Sequence, residues 1–214
     1  MRFNAGEHAP CAGAATDEAN ALIMRSPTVY VVLAAGESRR MGFDKTVTPL
    51  GLRSPLARVV EALGQRRALI VVLPNLSDEA ARIAPSARLI INCEQARGMT
   101  HSLHLALSSI ARENSFGVLL GDMPCMTEAT IERTEAMLCG DVDVAFPVDV
   151  AGTAGHPVLF SARARPIVEA LPDGDTLRIA RDDASLRRAS WRCHDRSAFL
   201  DLDAPSDWKA FSDA

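Results

Sequence analysis

The sequence predicts an α/β fold: a mostly parallel, doubly wound, Rossmann-like sheet with helices on both faces. Three observations carry this. Short apolar runs at residues 29–33, 68–73, 89–91, 116–120 and 142–146 lack the polar alternation of half-exposed strands, as strands buried on both faces do. Segments with helical apolar spacing separate them, so strand and helix alternate four times in the manner of βαβ units. Polar clusters then fall at the strand ends (36–45, 92–102, 121–122, 201–203), where open α/β sheets bind ligands.

The elements follow in order. Residues 1–27 are rich in Ala, Gly and short polar residues, show no sustained period and have no long apolar stretch of the signal-peptide kind. They read as a flexible leader, with a single domain over 28–214. The strand at 29–33 runs into a small-residue loop carrying Arg39, Arg40 and Lys45. Ser54 and Pro55 open a helix as N-cap and first helical residue, Leu56, Val59, Val60 and Leu63 keep its period, and Gly64 ends it. After the strand at 68–73, Ser77-Asp78-Glu79 starts an acidic-fronted helix. The third strand ends at Asn92. Gly98 then marks a loop, Thr100 is the expected N-cap, and Leu103, Leu107 and Ile110 form an apolar helix face. The strand at 116–120 runs straight into Gly121-Asp122-Met123-Pro124, and Thr127 caps a helix to about residue 138. A fifth strand is expected at 142–146, and after Pro147 the pattern loosens. Beyond it lie a loop and short strand at 155–160, helices near 161–171 and 175–182, and a strand near 188–193. A closing strand at 199–202 and a terminal helix from about Pro205 complete the chain.

Composition narrows the chemistry. The 214 residues carry a net charge of −4, so no global field favours nucleic acid or an anionic membrane, and an anionic substrate needs a local basic site. No apolar run approaches the ~18 residues of a membrane span. The five cysteines are scattered, odd in number and without CxxC spacing, which argues for a reducing, cytoplasmic setting and against a zinc site. Lys45 and Lys209 are the only lysines, so a lysine inside the first loop stands out.

A strand ending in a small-residue, basic loop lets backbone amides and cations approach phosphate. An ordinary turn with solvated arginines explains the same composition. Asp122 follows an entirely apolar strand. Its carboxylate suits Mg²⁺, which takes one or two carboxylates plus substrate phosphates, and it equally suits backbone hydrogen bonds in the following turn. Asp203 reads as N-cap of the last helix, which leaves Asp201 as the preferred second metal carboxylate. His156, between Gly155 and Pro157, is either a donor to an anionic substrate or a structural loop histidine. His101 and His104 share a helix face with no third metal ligand evident, so packing is preferred for them. Cys125 has no implied base and reads as a buried thiol.

The letters themselves go further. Leu33-Ala34-Ala35-Gly36-x-Ser38-x-Arg40-Met41-Gly42-x-Asp44-Lys45 resembles the signature of the MobA-like molybdenum-cofactor nucleotidyltransferases, which have a nucleotide-diphospho-sugar-transferase-like fold. Residues 45–63 and 92–107, the latter with Gly98-Met99 and Ser102, resemble that family's first-helix segment and second nucleotide loop. Gly121-Asp122-Met123-Pro124 is similar to its metal-aspartate motif, and residues 200–208 to its closing Asp-x-Asp-x-Pro-x-Asp segment. Gly155-His156-Pro157-Val158-Leu159-Phe160 resembles the substrate-side loop of the cytidylyltransferase branch. Ala35 points the same way, where the guanylyl branch usually has Gly. The likeness runs in register over about residues 28–210.

The resemblance implies CMP transfer from CTP to the terminal phosphate of molybdopterin, with Mg²⁺ as cofactor and pyrophosphate as product. It implies nucleotide contacts from Leu33, Ala34, Ala35, Gly36, Arg40, Lys45, Asn92, Gly98, Ser102 and Asp122, and catalytic roles for Lys45, Arg40 and Asp122. Metal ligation falls to Asp122 and Asp201, and acceptor binding to Gly155, His156 and Pro157. A client molybdoenzyme or its chaperone is the implied downstream partner. Gly174-Asp175-Thr176-Leu177-Arg178 only partly follows the family pattern, and His101 stands where small hydroxyl residues are common. The competing expectations are guanylyl transfer, transfer to a sugar phosphate, and a non-catalytic cofactor-delivery protein. Retention of Lys45 and Asp122 ranks the last lowest.

Overall fold

The computed structural model describes residues 27–36, 42–64 and 68–212. Most of the expected leader, together with Arg39 and Arg40, lies outside the described residues. Seven strands form one sheet in the order β3-β2-β1-β4-β6-β5-β7. They are β1 (Val29–Leu33), β2 (Ala68–Leu73), β3 (Arg88–Ile91), β4 (Phe116–Leu120), β5 (Val144–Val148), β6 (Val158–Phe160) and β7 (Arg188–Arg192). β1 pairs parallel with β2 and β4, β2 with β3, and β5 with β7, while β6 is antiparallel to both β4 and β5. The helices are α1 (Pro55–Leu63), α2 (Asp78–Ile83), α3 (Met99–Leu107), α4 (Glu128–Met137), α5 (Arg165–Glu169), α6 (Leu177–Arg181) and α7 (Pro205–Ser212). The expected α/β, mostly parallel and doubly wound sheet is what forms.

β1 shows why. All five of its residues are buried. The pleat sends Val29, Val31 and Leu33 to one face, against Leu103 and Leu107 of α3, and Tyr30 and Val32 to the other, against Leu56, Val59 and Leu63 of α1. Winding proceeds from β1 outward to β3, then returns to the opposite side of β1 as β4. This reversal opens a crevice beyond the carboxyl ends of β1 and β4.

Three helix starts form as expected. The side-chain oxygens of Ser54, Ser77 and Thr127 accept from the backbone N–H of Ala57, Ala80 and Thr130. Four details differ. Thr100 is not an N-cap: Gly98, at φ +91°, lets the chain turn into α3 two residues earlier, and the Thr100 hydroxyl donates to the Asp175 carbonyl. β5 runs through Pro147. The carbonyl of Pro147, which lies on the same side of the strand as its nitrogen, accepts from Gly155 N at 2.9 Å, so the missing donor faces the loop before β6 rather than β7. The 161–171 segment divides into a 3₁₀ turn at Ala162–Ala164 and α5. No closing strand forms at 199–202. A 3₁₀ turn occupies Arg196–Phe199, and the extended segment after it makes a backbone bond from Leu202 N to Asp122 O (3.1 Å) rather than a ladder.

Candidate active site

A cleft of about 320 Å³ sits at the β1/β4 crevice. One wall is the end of β1, from Leu33 through Ala34 and Ala35 to Gly36; Leu120 and Asp122 come from β4. The two strand ends press together where a Cβ on Gly121 would lie 2.7 Å from that of Ala34, so only glycine fits there. A Cβ on Gly36 meets nothing within 4 Å, which leaves its backbone open to the cleft. Gln95, Gly98, Met99 and Ser102 enter from the second loop and α3, and Lys45, Thr46, Asp201 and Asp203 close the rim.

Lys45 is the centre of the polar network. Its ammonium lies 2.7 Å from Asp122 Oδ2 and 3.0 Å from Asp203 Oδ1, and donates to the Leu202 carbonyl at 2.6 Å. Local sequence sets its position: Asp44 Oδ1 accepts from the backbone N–H (3.0 Å) and hydroxyl (2.7 Å) of Thr46, an Asx turn around the lysine. Burial pulls the Lys45 pKa down, but the Asp122 and Asp203 carboxylates outweigh it and hold the ammonium above its ordinary value. The opposite holds for Asp201. Burial and the neighbouring carboxylates of Asp203 and Asp122 push its pKa up, against backbone hydrogen bonding and the Lys45 charge.

Asp203 corrects an expectation. Its backbone N–H and that of Ala204 donate to Asp207 Oδ2 (3.1 and 2.8 Å), so Asp207 closes the start of α7 and the Asp203 carboxylate turns to Lys45. The signal was present in the sequence: Asp207 stands three residues past Ala204, the spacing of a reciprocal cap.

The carboxylates can be tested against a divalent cation. Asp122 Oδ1 is buried and has no hydrogen-bond partner among the described residues, while Asp201 and Asp203 face the same cleft. Among the described residues no three His, Cys, Asp or Glu side chains converge as a ready-made metal cage. One or two carboxylate oxygens completed by phosphates is the donor set Mg²⁺ takes, so the residues present fit it.

Asn92 is placed differently from the expectation of direct nucleotide contact. It is 1% exposed and lies beneath the cleft, donating to Ser102 Oγ (2.8 Å) and accepting from Glu94 N (2.8 Å). Ser102 reaches the cleft and Asn92 orients it. A second cavity of about 180 Å³ adjoins at Met99 and is lined by Gly155, His156, Thr176, Leu177 and two arginines, Arg178 and Arg181. Gly155 is required by space, since its Cβ would lie 2.3 Å from the Ala198 carbonyl. His156 Nδ1 lies 3.1 Å from the Val118 carbonyl, and a carbonyl only accepts, so Nδ1 carries the proton. Burial lowers the His156 pKa, and the neutral ring presents Nε2 as an acceptor. Pro157 is buried and lines neither cavity.

The two cavities are joined by their loops. A Cβ on Gly98 would meet Gly174 Cα at 3.0 Å, Arg97 Nε donates to Asp173 Oδ2 at 2.8 Å, and Thr100 bonds Asp175. His101 and His104 pack into this joint: His101 lies 3.5 Å from Asp173, and His104 Nε2 lies 3.1 Å from the Val168 carbonyl. The Cys125 thiol is half-buried and burial raises its pKa, which fits an inert thiol.

A doubly wound sheet with a lysine and carboxylates at its switch point is suited to a phosphate-bearing ligand held with a divalent cation. The model of the MobA-like NTP transferase domain matches residues 30–189, and the chain belongs to that family. Among curated relatives, the bifunctional protein GlmU of Chromobacterium violaceum is 32% identical over 133 residues. The match takes in 59% of this chain and 29% of GlmU, so the chain spans less than a third of that relative. Among solved structures, Rv0371c of Mycobacterium tuberculosis H37Rv in complex with manganese superposes at a TM-score of 0.68 with 20% identity, over 89% of this chain and 100% of that one. Molybdopterin-guanine dinucleotide biosynthesis protein A of Archaeoglobus fulgidus gives 0.61 with 18% identity, over 87% and 97%. At these identities the likeness is one of fold. No helix among the described residues is long and apolar enough to cross a membrane.

Proposed function

We propose that the protein is a divalent-metal-dependent cytidylyltransferase that joins CMP from CTP to the terminal phosphate of a molybdopterin-type acceptor. The observation that carries nucleotidyl transfer is the convergence of Gly36, Lys45 and Asp122 on one cleft at the switch point of the sheet. In the reaction a terminal phosphate oxygen of the acceptor bonds to the α-phosphorus of CTP, the bond from that phosphorus to the bridging oxygen breaks, and pyrophosphate leaves. Such a transfer demands positioning and charge neutralisation more than proton transfer. Lys45 offsets triphosphate charge, with Arg40 of the same loop as a second cation. The backbone at Ala34, Ala35 and Gly36 admits the nucleotide at close range, and Gly98 and Ser102 form the facing wall. Asp122 and Asp201 would hold Mg²⁺, which supplies neutralisation of the phosphoryl oxygens when bound.

The adjoining cavity suits the acceptor, with Arg178 and Arg181 as its cations and His156 as an acceptor of hydrogen bonds. Ala35 and the Gly155-to-Phe160 segment support CTP over GTP. The reducing setting implied by the cysteines supports a cytoplasmic enzyme handing its product to a molybdoenzyme or chaperone. The test is a panel of NTPs against purified molybdopterin, scored by pyrophosphate release with Mg²⁺. Turnover with CTP is expected. Turnover with GTP alone overturns the branch assignment, and turnover with a sugar phosphate but not the pterin overturns the acceptor.

A further inference from the structure

We infer that His101 is a positioning residue whose protonated ring fastens the loop before α6 to the wall of the nucleotide cleft, so that the seating of the second cavity against the first follows the charge of that ring. Its bearing on substrate binding rests on the nucleotidyl-transfer reading; the latch itself does not. His101 stands on α3 with its side chain 11% exposed, and its two ring nitrogens face carboxylates on different segments. Nδ1 lies 3.5 Å from Asp173 Oδ1, in the loop between α5 and α6. Nε2 lies 3.6 Å from Glu94 Oε2, at the start of the 3₁₀ turn Gln95–Arg97. A neutral imidazole has one N–H, so one of its nitrogens turns a lone pair toward a carboxylate; an imidazolium presents a donor to both. Both distances are longer than a hydrogen bond, so the attraction depends on the charge of the ring.

The other charges near the ring belong to the same joint. Arg97 donates to Asp173 Oδ2 at 2.8 Å and to Glu94 Oε2 at 3.0 Å, which sets one guanidinium against two carboxylates. Arg97 first, then His101 and His104, hold the Asp173 carboxyl below its ordinary range, so Asp173 stays an anion wherever imidazole titrates. On α3 itself, His104 donates from Nε2 to the Val168 carbonyl at 3.1 Å and sets Nδ1 3.9 Å from Asp173 Oδ1. From α5, Arg165 pairs with Glu169 and donates to the Leu107 and Ile110 carbonyls at the far end of α3. β1 and β2 present apolar Val31, Leu33, Ile70 and Val72 to the helix. The Asp173 loop already lies against the cleft, since Gly174 abuts Gly98 and the Thr100 hydroxyl donates to the Asp175 carbonyl. It leads into α6, whose Arg178 and Arg181 line the second cavity, while Met99 lines both cavities. Protonated His101 thus ties the segment that carries both arginines to α3 and to Glu94. The tie is complete at low pH and is lost as pH rises through the imidazole range.

The experiment is hydrogen–deuterium exchange of the full chain without substrate. It reads the protection of the backbone amides of residues 173–176, corrected for intrinsic exchange at each pH and set against the amides of β1. The native loop is expected to be about fivefold more protected at about pH 5.5 than at about pH 8, the upper end of what a part-exposed ion pair contributes. His101→Gln, which keeps a donor but cannot charge, is expected to lose that ratio, and so is Asp173→Asn. His104→Gln is expected to keep it. A packing role for His101 would lower protection equally at both pH values and leave the ratio unchanged. A His101→Gln chain with the native ratio therefore overturns the inference, as does a native loop equally protected at both pH values, or loss of the ratio in His104→Gln. If His101→Gln does not fold, Asp173→Asn decides by the same ratio. No substrate enters the measurement, so a chain that shows the latch yet transfers nucleotide to no acceptor supports the inference and overturns the transferase reading.

Discussion

At the scale of single residues, the cleft sets a charged pair against an uncomfortable one. Lys45 is matched to Asp122 and Asp203, and the role proposed for it in neutralising triphosphate charge gives the first prediction. Lys45→Met should lower kcat by about 10²–10³, roughly 2.7–4 kcal/mol of transition-state stabilisation, as loss of one preorganised donor does, measured as pyrophosphate release at saturating substrates. Asp201 is in the opposite position. Its folded pKa is raised, so the folded state favours its protonated form. The stability it contributes is complete below the unfolded value of about 3.9 and is lost as pH rises through the raised folded value. Asp201→Asn should therefore raise Tm at pH 7 in metal-free buffer, and the gain should shrink as the pH is lowered toward 4. A thermal scan in which the gain grows on acidification would contradict the electrostatic account. The sequence made Lys45, Asp122 and Asp201 legible because each follows a strand or sits in a motif. The spacing of Asp207 marked the start of α7, but the turning of the Asp203 carboxylate to Lys45 rests on a contact between residues 158 apart in the chain.

At the scale of elements, glycines mark where segments touch. Gly155 abuts the 3₁₀ turn at Arg196–Phe199, and its missing Cβ is what lets the Ala198 carbonyl accept from His156 N at 2.9 Å. Gly155→Ala should cost about 1–3 kcal/mol, the usual result of overpacking, read as a lowered urea midpoint at unchanged slope. Gly98 differs in kind: it needs positive φ and also lies against Gly174, so Gly98→Ala strains α3 and the joint between the cavities at once. Capping was readable for α1, α2 and α4, where a Ser or Thr immediately precedes the first turn. It was misread for α3, because Thr100 looks like a cap until Gly98 is known to turn the chain earlier. The expected strand at 199–202 failed for a related reason. Its residues have strand composition, but their partner is the end of β4 and the side chain of Lys45 rather than a neighbouring ladder.

For the molecule as a whole, stability rests on two apolar layers that the sheet separates. Phe116 of β4 and Phe160 of β6 are fully buried and stack at 5.3 Å, spanning the one antiparallel pairing that joins the β3-β2-β1-β4 half to the β6-β5-β7 half. Phe116→Ala should cost about 3–5 kcal/mol and lower the urea midpoint for the whole domain in one transition. A separate early transition would mean that the two halves unfold independently.

The sequence by itself determined the α/β class, the parallel strands and the positions of the strand-end loops, because apolar runs, caps and glycines act over a few residues. It also determined which chemistry those loops can hold: a basic small-residue loop, an aspartate after a buried strand and an acidic closing segment. Only the tertiary structure decided how these meet. The antiparallel insertion of β6, the burial of Asn92 beneath Ser102, the contact of His156 Nδ1 with the Val118 carbonyl and the turning of Asp203 to Lys45 all depend on groups 10 to 158 residues apart in the chain. Local propensity cannot rank contacts at that separation, since their energies exist only once the sheet has brought the carboxyl ends of β1 and β4 together.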